Sequence, residues 1–581
     1  MAGKRIIRVL DIDLTAEKME TIRREDLAPY IGGIGVAAKL FSELIQPDKD
    51  PMDPEQPIIF ANGPMSTIFP VVTKTVAVFR SPLTGEWGES YAGMRLALAM
   101  RMSGFQAIVI RGKAARPVYL SIGNHGVRFK DASALWGLTV SETGSILRDL
   151  EPGRGHRSCI RIGPAGEKGV RFANVNVDTY RHFGRLGLGA LFGSKNLKAM
   201  VVYGEREEKI ENFAKYNQVY KEIYTRAVTT DIMDKYHGLG TAINVNGLNH
   251  LNGLPTRNLQ QSSFEHAEVI GGESFAEQSL VRKMACAGCP VGCIHIGLHR
   301  REFGPGYDYE SKYLSYDHEL IFALGSFLGM STQDKIYQLI DAVEELGLDA
   351  ITAGVLLGWV TEACQRGIIS EEQLGVKPEF DKTEPYLEIL RRIVHPPNEL
   401  YQMLALGAYA AAQRYGGQEY AMTLGKTEIA GYHTGYANIL GQAVGARHSH
   451  LDNAGYSVDQ KLKNKSPEEK VAALIKEEKW RNVLNCLTIC LFAREIYQVD
   501  TVIAALDSIG ISVTAEELEK LGHDIFEIKN TTRKQLGFAF NNLHTPERFF
   551  ETASLTGKLD RQQFEEMLDL YQKQIGVHSQ R

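Results

Sequence analysis

Three cysteines fall within eight residues, Cys286-Ala-Gly-Cys289-Pro-Val-Gly-Cys293. Small residues and one proline separate the thiols, which lets the backbone wrap an inorganic cube of iron and sulfide. Zinc sites more often arrange their ligands as separated pairs, and no matching pair follows here. The x2-then-x3 spacing also reverses the radical-SAM order. Three thiols need a fourth ligand, so the fold must bring a distant stretch of chain to this loop. The other cysteines are Cys159, Cys364, Cys486 and Cys490. Cys159 and Cys364 lie in apolar strand-like and helix-like contexts, where a buried free thiol is the common case. Cys486 and Cys490, four residues apart, read as one face of a helix start, and spacing does not choose between them. An odd total of seven cysteines in a long chain points to reduced thiols or metal ligands rather than a disulfide scaffold.

A chain of 581 residues exceeds what one hydrophobic core supports, so two to four domains are expected. An apolar fraction of 44% and a charged fraction of 23% are those of an ordinary globular protein. A formal net charge of -5 gives no broad basic field and argues against nucleic acid as a main partner. Met1 to Leu10 lacks the apolar run of ~7 to 15 residues that a signal peptide needs. No stretch of about 18 uninterrupted apolar residues suggests membrane insertion. The expected location is the cytoplasm.

To about Gly204 the chain reads as short β-branched runs broken by Gly or Pro: 4–14, 57–61, 71–79, 106–111, 118–122, 159–162 and 199–203. Glycines cluster at Gly32-Gly33-Ile34-Gly35 and across Gly184 to Gly189, where backbone must come close to something. Beyond about Glu205 the periodicity is helical, over 213–228, 332–346, 352–366, 398–415, 467–478, 487–498 and 515–521. The charged stretch 461–479 reads as a solvated helix face. The expected fold is α+β, a β-rich N-terminal domain (1–208) followed by two mainly α-helical domains (209–418 and 419–581), with the last boundary suggested by Gly416-Gly417.

Several segments, in order and spacing, resemble the tungsten-containing aldehyde:ferredoxin oxidoreductase family over essentially the whole chain. They are Tyr30-Ile-Gly-Gly-Ile-Gly35, Ser81-Pro-Leu-Thr-Gly85, Ile162-Gly-Pro-Ala-Gly-Glu167, Gly184-Arg-Leu-Gly-Leu-Gly-Ala190 leading into Gly193-Ser-Lys-Asn-Leu-Lys-Ala199, the triple-cysteine loop, and Glu344-Glu-Leu-Gly-Leu-Asp349. The resemblance implies an N-terminal domain cupping a bis-pterin tungsten cofactor, a 4Fe-4S cluster, and magnesium at the pterin phosphates. One phosphate segment falls on Lys74, Ser81 to Gly85, Ser90, Tyr91 and Gly93. Arg181 and His182 form the second, just before Gly184 and Arg185. Phosphates favour cations and converging backbone N–H groups, which suits these residue types. Two related pterin motifs become Glu344 to Asp349, including Gly347 and Leu348, and Asn485-Cys-Leu-Thr-Ile489-Cys490. The resemblance makes Cys490 the fourth cluster ligand beside Cys286, Cys289 and Cys293.

This chain departs from the family pattern at Lys74, where arginine is usual, at Tyr91, where asparagine is usual, and at Glu344 and Asn485, where aspartate is usual. It contains no E-x-x-H sequence, so the interfacial iron of some dimeric members is not carried over. Glu319, 25 residues before Glu344, matches the family's active-site glutamate. On its own, an acidic residue there could simply favour a helix start. His318 is a secondary candidate. Arg447 matches an arginine on the pterin, but the expected histidine four residues later is Leu451, which leaves His448 or His450 for that role. His433 is a further candidate in the same polar-rich segment.

The resemblance implies oxidation of a small aldehyde to its acid, reversible with a strong reductant. Ferredoxin or a small iron-sulfur subunit would take the electrons. No G-x-G-x-x-G dinucleotide site is convincing, so flavin or NAD would need another subunit of a larger complex. The alternatives are the tungsten subunit of an aromatic acyl-CoA reductase and a non-catalytic iron-sulfur electron-transfer subunit.

Overall fold

A computed structural model describes residues 5–207, 210–306 and 308–576. The chain forms two compact units, each assembled from separated segments. The first comprises 1–237, 285–292 and 479–537; the second comprises 238–284, 293–478 and 538–581. The fold is α+β, with the strands concentrated in the N-terminal part as the sequence implies. Among the described residues, no helix is long and apolar enough to cross a membrane.

The first unit is built on two six-stranded sheets. Strands β1 (Ile7–Asp13), β2 (Lys18–Arg24), β3 (Ile58–Ala61), β4 (Thr75–Arg80), β5 (Trp87–Ala92) and β6 (Ala107–Arg111) form the first, in the order β2-β1-β6-β3-β4-β5. Strands β7 (Val118–Gly123), β8 (Gly126–Asp131), β9 (Ser158–Arg161), β10 (Val175–Val177), β11 (Arg181–Phe183) and β12 (Leu197–Val202) form the second, in the order β11-β10-β9-β12-β7-β8. Inner strands such as β3 and β12 are buried along their whole length, which is why they read as continuous apolar runs. The edge strand β2 is largely exposed and correspondingly charged.

The glycines at 32–35 open the helix Gly33–Leu44, and the close approach they anticipate is to the protein's own backbone. A Cβ on Gly33 would lie 2.3 Å from the Asn485 carbonyl oxygen. One on Gly35 would lie 3.0 Å from the Cys486 sulfur. The 485–490 segment is thereby seated on the N-terminal sheet domain.

The second unit is mainly helical. Its helix Ala350–Gln365 is apolar nearly all round and buried almost throughout, as a central helix must be. The helical half also contains a three-stranded sheet that the periodicity did not indicate: β13 (Leu280–Met284), β14 (Ile294–Gly304) and β15 (Asp308–Tyr316). Two helix expectations need correction. Residues 398–415 form two helices, Glu399–Leu404 and Ala408–Tyr415, broken at Gly407 with φ of 97°. Residues 487–498 are not an α-helix. The helix Pro467–Cys486 ends there, Thr488 has φ of 58°, and only a short 3-10 turn, Leu491–Ala493, follows.

Candidate functional site

In the first unit the cysteine loop is shaped by backbone. Gly288 and Gly292 have φ of 76° and 65°, Cys289 N–H donates to the Cys286 carbonyl (3.1 Å), and Ala287 N–H donates to the Met94 carbonyl (3.0 Å). Val71 joins this loop to the distant stretch. Its N–H donates to the Gly288 carbonyl (3.4 Å), and its carbonyl accepts from Cys490 N–H (3.0 Å). The Thr488 carbonyl accepts from Lys74 N–H (3.2 Å), and the Thr488 hydroxyl lies 2.8 Å from that of Ser66. Cys286, Cys289 and Cys490 are half-buried. Cys486 is fully buried, and burial pushes its thiol up to about 12. Burial likewise pushes Cys159 up to about 11. Thiols held protonated in this way are poor ligands. Cys486 and Cys490 therefore do not share a helix face: one lies in the core and the other faces the cysteine loop's backbone partner.

Cys293 follows Gly292 directly and is half-buried. Cys364 is half-buried late in the helix Ala350–Gln365, its thiol raised by burial. Among the described residues, no three His, Cys, Asp or Glu side chains close around one point as a single ion would need. A four-iron cube makes a different demand, since each thiolate binds its own iron.

Gly93, at the end of β5, completes this corner. A Cβ there would lie 2.6 Å from the Cys286 sulfur and 3.4 Å from Lys74 Nζ. Two residues of one phosphate segment thus meet the first cysteine of the cluster loop.

The other phosphate-segment residues have local partners. Ser81 Oγ accepts N–H groups from Leu83 and Thr84 (both 3.2 Å) and donates to the Leu186 carbonyl (2.9 Å), tying the S-P-L-T-G turn to the glycine run. Ser90 is buried on β5. Tyr91 hydroxyl donates to Glu89 (2.7 Å), whose carboxylate also receives Trp87 Nε1 (3.0 Å) and pairs with Lys529 (2.6 Å). His182 lies opposite Asn176 in the β10–β11 pair, with Nε2 3.0 Å from Asn176 Nδ2. Asn176 Oδ1 is buried and has no hydrogen-bond partner among the described residues. Arg181 donates to the Tyr180 carbonyl (3.2 Å), and Gly184 and Arg185 are half-buried. Asn485 and Ile489 are buried. Val71, Thr488 and Asn176 carried no composition or spacing signal; Val71 and Thr488 act largely through main-chain groups, which every residue type possesses.

In the second unit, Asp317 caps the helix His318–Leu324 by accepting Leu320 N–H (3.2 Å), which places Glu319 in its first turn. Glu319 Oε2 accepts Gly431 N–H (3.1 Å), and Oε1 lies 3.5 Å from His450 Nε2. His318 Nε2 donates to the Gly431 carbonyl (3.0 Å). Tyr432 packs against His318, His450 and Tyr456, with ring centroids 4.9, 5.2 and 4.6 Å away. Glu319 and His450 therefore form a pair set in aromatic surroundings.

The remaining histidines are placed differently. His448 has φ of 52° and turns Nδ1 toward the Ala443 carbonyl (2.9 Å), so that nitrogen donates. His433 is fully buried, donates from Nε2 to the Thr552 carbonyl (3.0 Å), and is pushed down to about 4 by burial. Arg447 is buried against Asp452 (2.5 Å), which also accepts N–H groups from Arg447 and Ser449. Gly347 ends the helix Gln333–Leu346 with φ of 76°, Leu348 is buried, and Glu344 is half-buried. Asp349 caps the next helix by accepting Ile351 N–H (3.0 Å) and Thr352 hydroxyl (2.6 Å).

Comparison with known proteins identifies the family of the chain. Residues 9–204 match the model of the aldehyde ferredoxin oxidoreductase N-terminal domain, and residues 217–580 match that of its domains 2 and 3. A tungsten-containing aldehyde ferredoxin oxidoreductase of Pyrococcus furiosus is 32% identical over 96% of this chain and 94% of its own. One from Pyrococcus abyssi is 34% identical over 73% of this chain and 70% of its own. The WOR-like subunit of an aliphatic sulfonate oxidoreductase from Pyrococcus furiosus is 31% identical over 70% of this chain and 66% of its own. Among solved structures, the active site complex BamBC of benzoyl coenzyme A reductase, with bound 1,5-dienoyl-CoA, shares the fold. Its TM-score is 0.82 at 20% identity, covering 98% of this chain and 94% of that one. The chain belongs to the aldehyde ferredoxin oxidoreductase family and is a tungsten oxidoreductase.

Proposed function

We propose that this enzyme oxidises small aldehydes to carboxylic acids, reversibly, and passes the electrons through a 4Fe-4S cluster to ferredoxin or a small iron-sulfur subunit in the cytoplasm. The observation that carries the reading is the Glu319–His450 pair, a carboxylate and an imidazole 3.5 Å apart beside the Gly431 peptide. Converting an aldehyde hydrate to its acid releases two electrons and protons that need an acceptor. Glu319 Oε1 is that acceptor, and His450 Nε2 can take the proton onward. The Gly431 N–H holds the carboxylate in place, so the base keeps its orientation. The tungsten-pterin centre, when bound, supplies the two-electron chemistry.

The chain's own residues suit the groups they would hold. Cys286, Cys289, Cys293 and Cys490 would bind the cluster, with Gly93 leaving room for the Cys286 sulfur. In the first unit Lys74, Arg181 and His182 would take pterin phosphates. The buried Asn176 Oδ1 offers an acceptor suited to a hydrated magnesium ion there. In the second unit Asp349 and Arg447 would contact the pterins.

The shared fold with a benzoyl coenzyme A reductase complex favours a second reading, reduction of an aromatic acyl-CoA. Anaerobically purified enzyme assayed with a low-potential dye distinguishes the two. Turnover of aldehydes but not acyl-CoA esters, with tungsten, iron and pterin present, supports aldehyde oxidation; the reverse preference overturns it.

A further inference from the structure

One end of the first sheet opens into a cleft of about 1360 Å³ within the first unit. Arg8, Arg23, Arg101 and Arg206 are among its lining residues, as are Ile509 and Ile511. Arg8 and Arg23 stand directly opposite each other in the antiparallel β1–β2 pair. Like charges in that position destabilise a sheet, so this pairing costs the fold something. A Cβ on Gly104 would lie 2.9 Å from Nη1 of both Arg8 and Arg206, so these two guanidiniums converge on one point. Arg8, Arg23 and Arg206 make no ion pair among the described residues. Burial and the neighbouring Arg206 and Arg23 together lower the affinity of Arg8 for its proton.

The helix Leu96–Ser103 ends beside Arg8 and Arg206, but a helix C-terminus carries only about half a negative charge, too little to balance converging cations. The acids lining the cleft are otherwise engaged. Asp26 pairs with Arg24 (2.6 Å), Glu517 accepts Thr514 N–H (2.8 Å), and Asp524 pairs with Lys520. The chain as a whole carries -5, so this concentration of positive charge is local.

We propose that the cleft binds a small organic phosphate of nucleotide size. Paired guanidinium forks match phosphoryl oxygens in geometry and charge, and their repulsion is relieved when an anion sits between them. Arg8 is held over the Phe105 ring, 5.1 Å from its centroid, which pre-orients its fork. Tyr30, Ile509 and Ile511 add part-exposed apolar surface to the lining, which a planar body beside the phosphates could cover. The cleft exceeds the ~300–1,000 Å³ of ordinary small-ligand pockets, which suits a ligand larger than inorganic phosphate. This site is independent of the aldehyde reading.

Isothermal titration of the anaerobic holoenzyme with ADP and with inorganic pyrophosphate tests the proposal. The expected result is saturable ADP binding that is tighter than pyrophosphate binding, weakens with added salt, and falls at least tenfold in Arg206→Gln. Arg206 is exposed, so the variant should fold, and unchanged cluster absorbance checks this. Arg8→Gln should weaken ADP binding in the same way. Absence of ADP binding at millimolar concentration, binding unaltered in Arg206→Gln, or pyrophosphate binding as tightly as ADP overturns it. So does loss of affinity in Arg206→Gln for an acidic ferredoxin alone, which would make the cleft a protein-docking surface.

Discussion

Cys490 hangs from Val71 by a main-chain hydrogen bond of 3.0 Å, and the same Val71 donates to Gly288 inside the cysteine loop. Cys486, four residues earlier, is sealed in the core against Gly35. The two thiols should therefore respond oppositely to removal. Cys490→Ser should strip iron from the anaerobically purified protein and abolish its visible cluster absorbance. Cys486→Ala should keep both, with a stability cost of about 1 kcal/mol for a small buried group. Iron analysis of the two variants decides it, and iron loss confined to Cys486→Ala would reverse the assignment.

Gly93→Ala tests the corner where Lys74 and Cys286 meet. The added methyl would stand 2.6 Å from the Cys286 sulfur, closer than real Cβ contacts allow, so the thiol must shift. Overpacking of this kind costs about 1–3 kcal/mol. The expected outcome is a protein that folds but assembles its cluster poorly, with iron content falling while circular dichroism stays that of the parent. Full iron occupancy would show that Cys286 can move without consequence.

What the sequence made legible follows from which signals are local. The continuous apolar runs of β3 and β12, and the helices 213–228 and 332–346, announced themselves through side-chain periodicity and stand in the structure almost as read. The end of the helix Pro467–Cys486 did not, because Cys490 N–H goes to Val71 rather than to a residue four positions back, a long-range partner that no local pattern encodes. The same holds for the sheet β13–β15, whose first two strands pair across the cysteine loop. The Glu319–His450 pair was half legible: each residue was a candidate, but their meeting depends on Gly431, named by no motif. His448 and His450 were indistinguishable in sequence; the carbonyl partner of His448 and the Glu319 partner of His450 separate them.

His433 gives a pH signature of its own. Burial holds it near 4 in the folded chain, below an ordinary value of 6.5, so the unfolded chain binds the proton more tightly. Its contribution to stability is whole above pH 6.5 and is lost as pH falls toward 4, on the order of 3 kcal/mol in total. Asp459, raised to about 6 by burial, acts in the opposite sense over an overlapping range, so the parent's melting curve alone would conceal both. The difference between parent and His433→Gln isolates the histidine. The variant should be less stable at pH 7.5 through lost packing, and the gap should narrow steadily toward pH 4.5. A gap constant with pH would mean that His433 binds its proton equally tightly in the folded and unfolded chains.

Glu319 is the residue whose role most needs a test, because the sequence also offers His318, His433, His448 and His450 as candidates. In Glu319→Gln the amide oxygen can still accept Gly431 N–H, so the helix and its surroundings should keep their shape while the proton acceptor is lost. Removing a general base typically costs ~10²–10⁴ in rate. The expected result is a fall of that size in kcat with tungsten and iron contents unchanged and KM little altered. His450→Gln should cost less, since Glu319 Oε1 remains to receive the proton even when the nitrogen 3.5 Å away cannot relay it. His433→Gln and His448→Gln should leave kcat within a few-fold, because both rings already donate to main-chain carbonyls. If Glu319→Gln retained most of the activity while His448→Gln lost it, the proton acceptor would have to be moved from the carboxylate to that histidine.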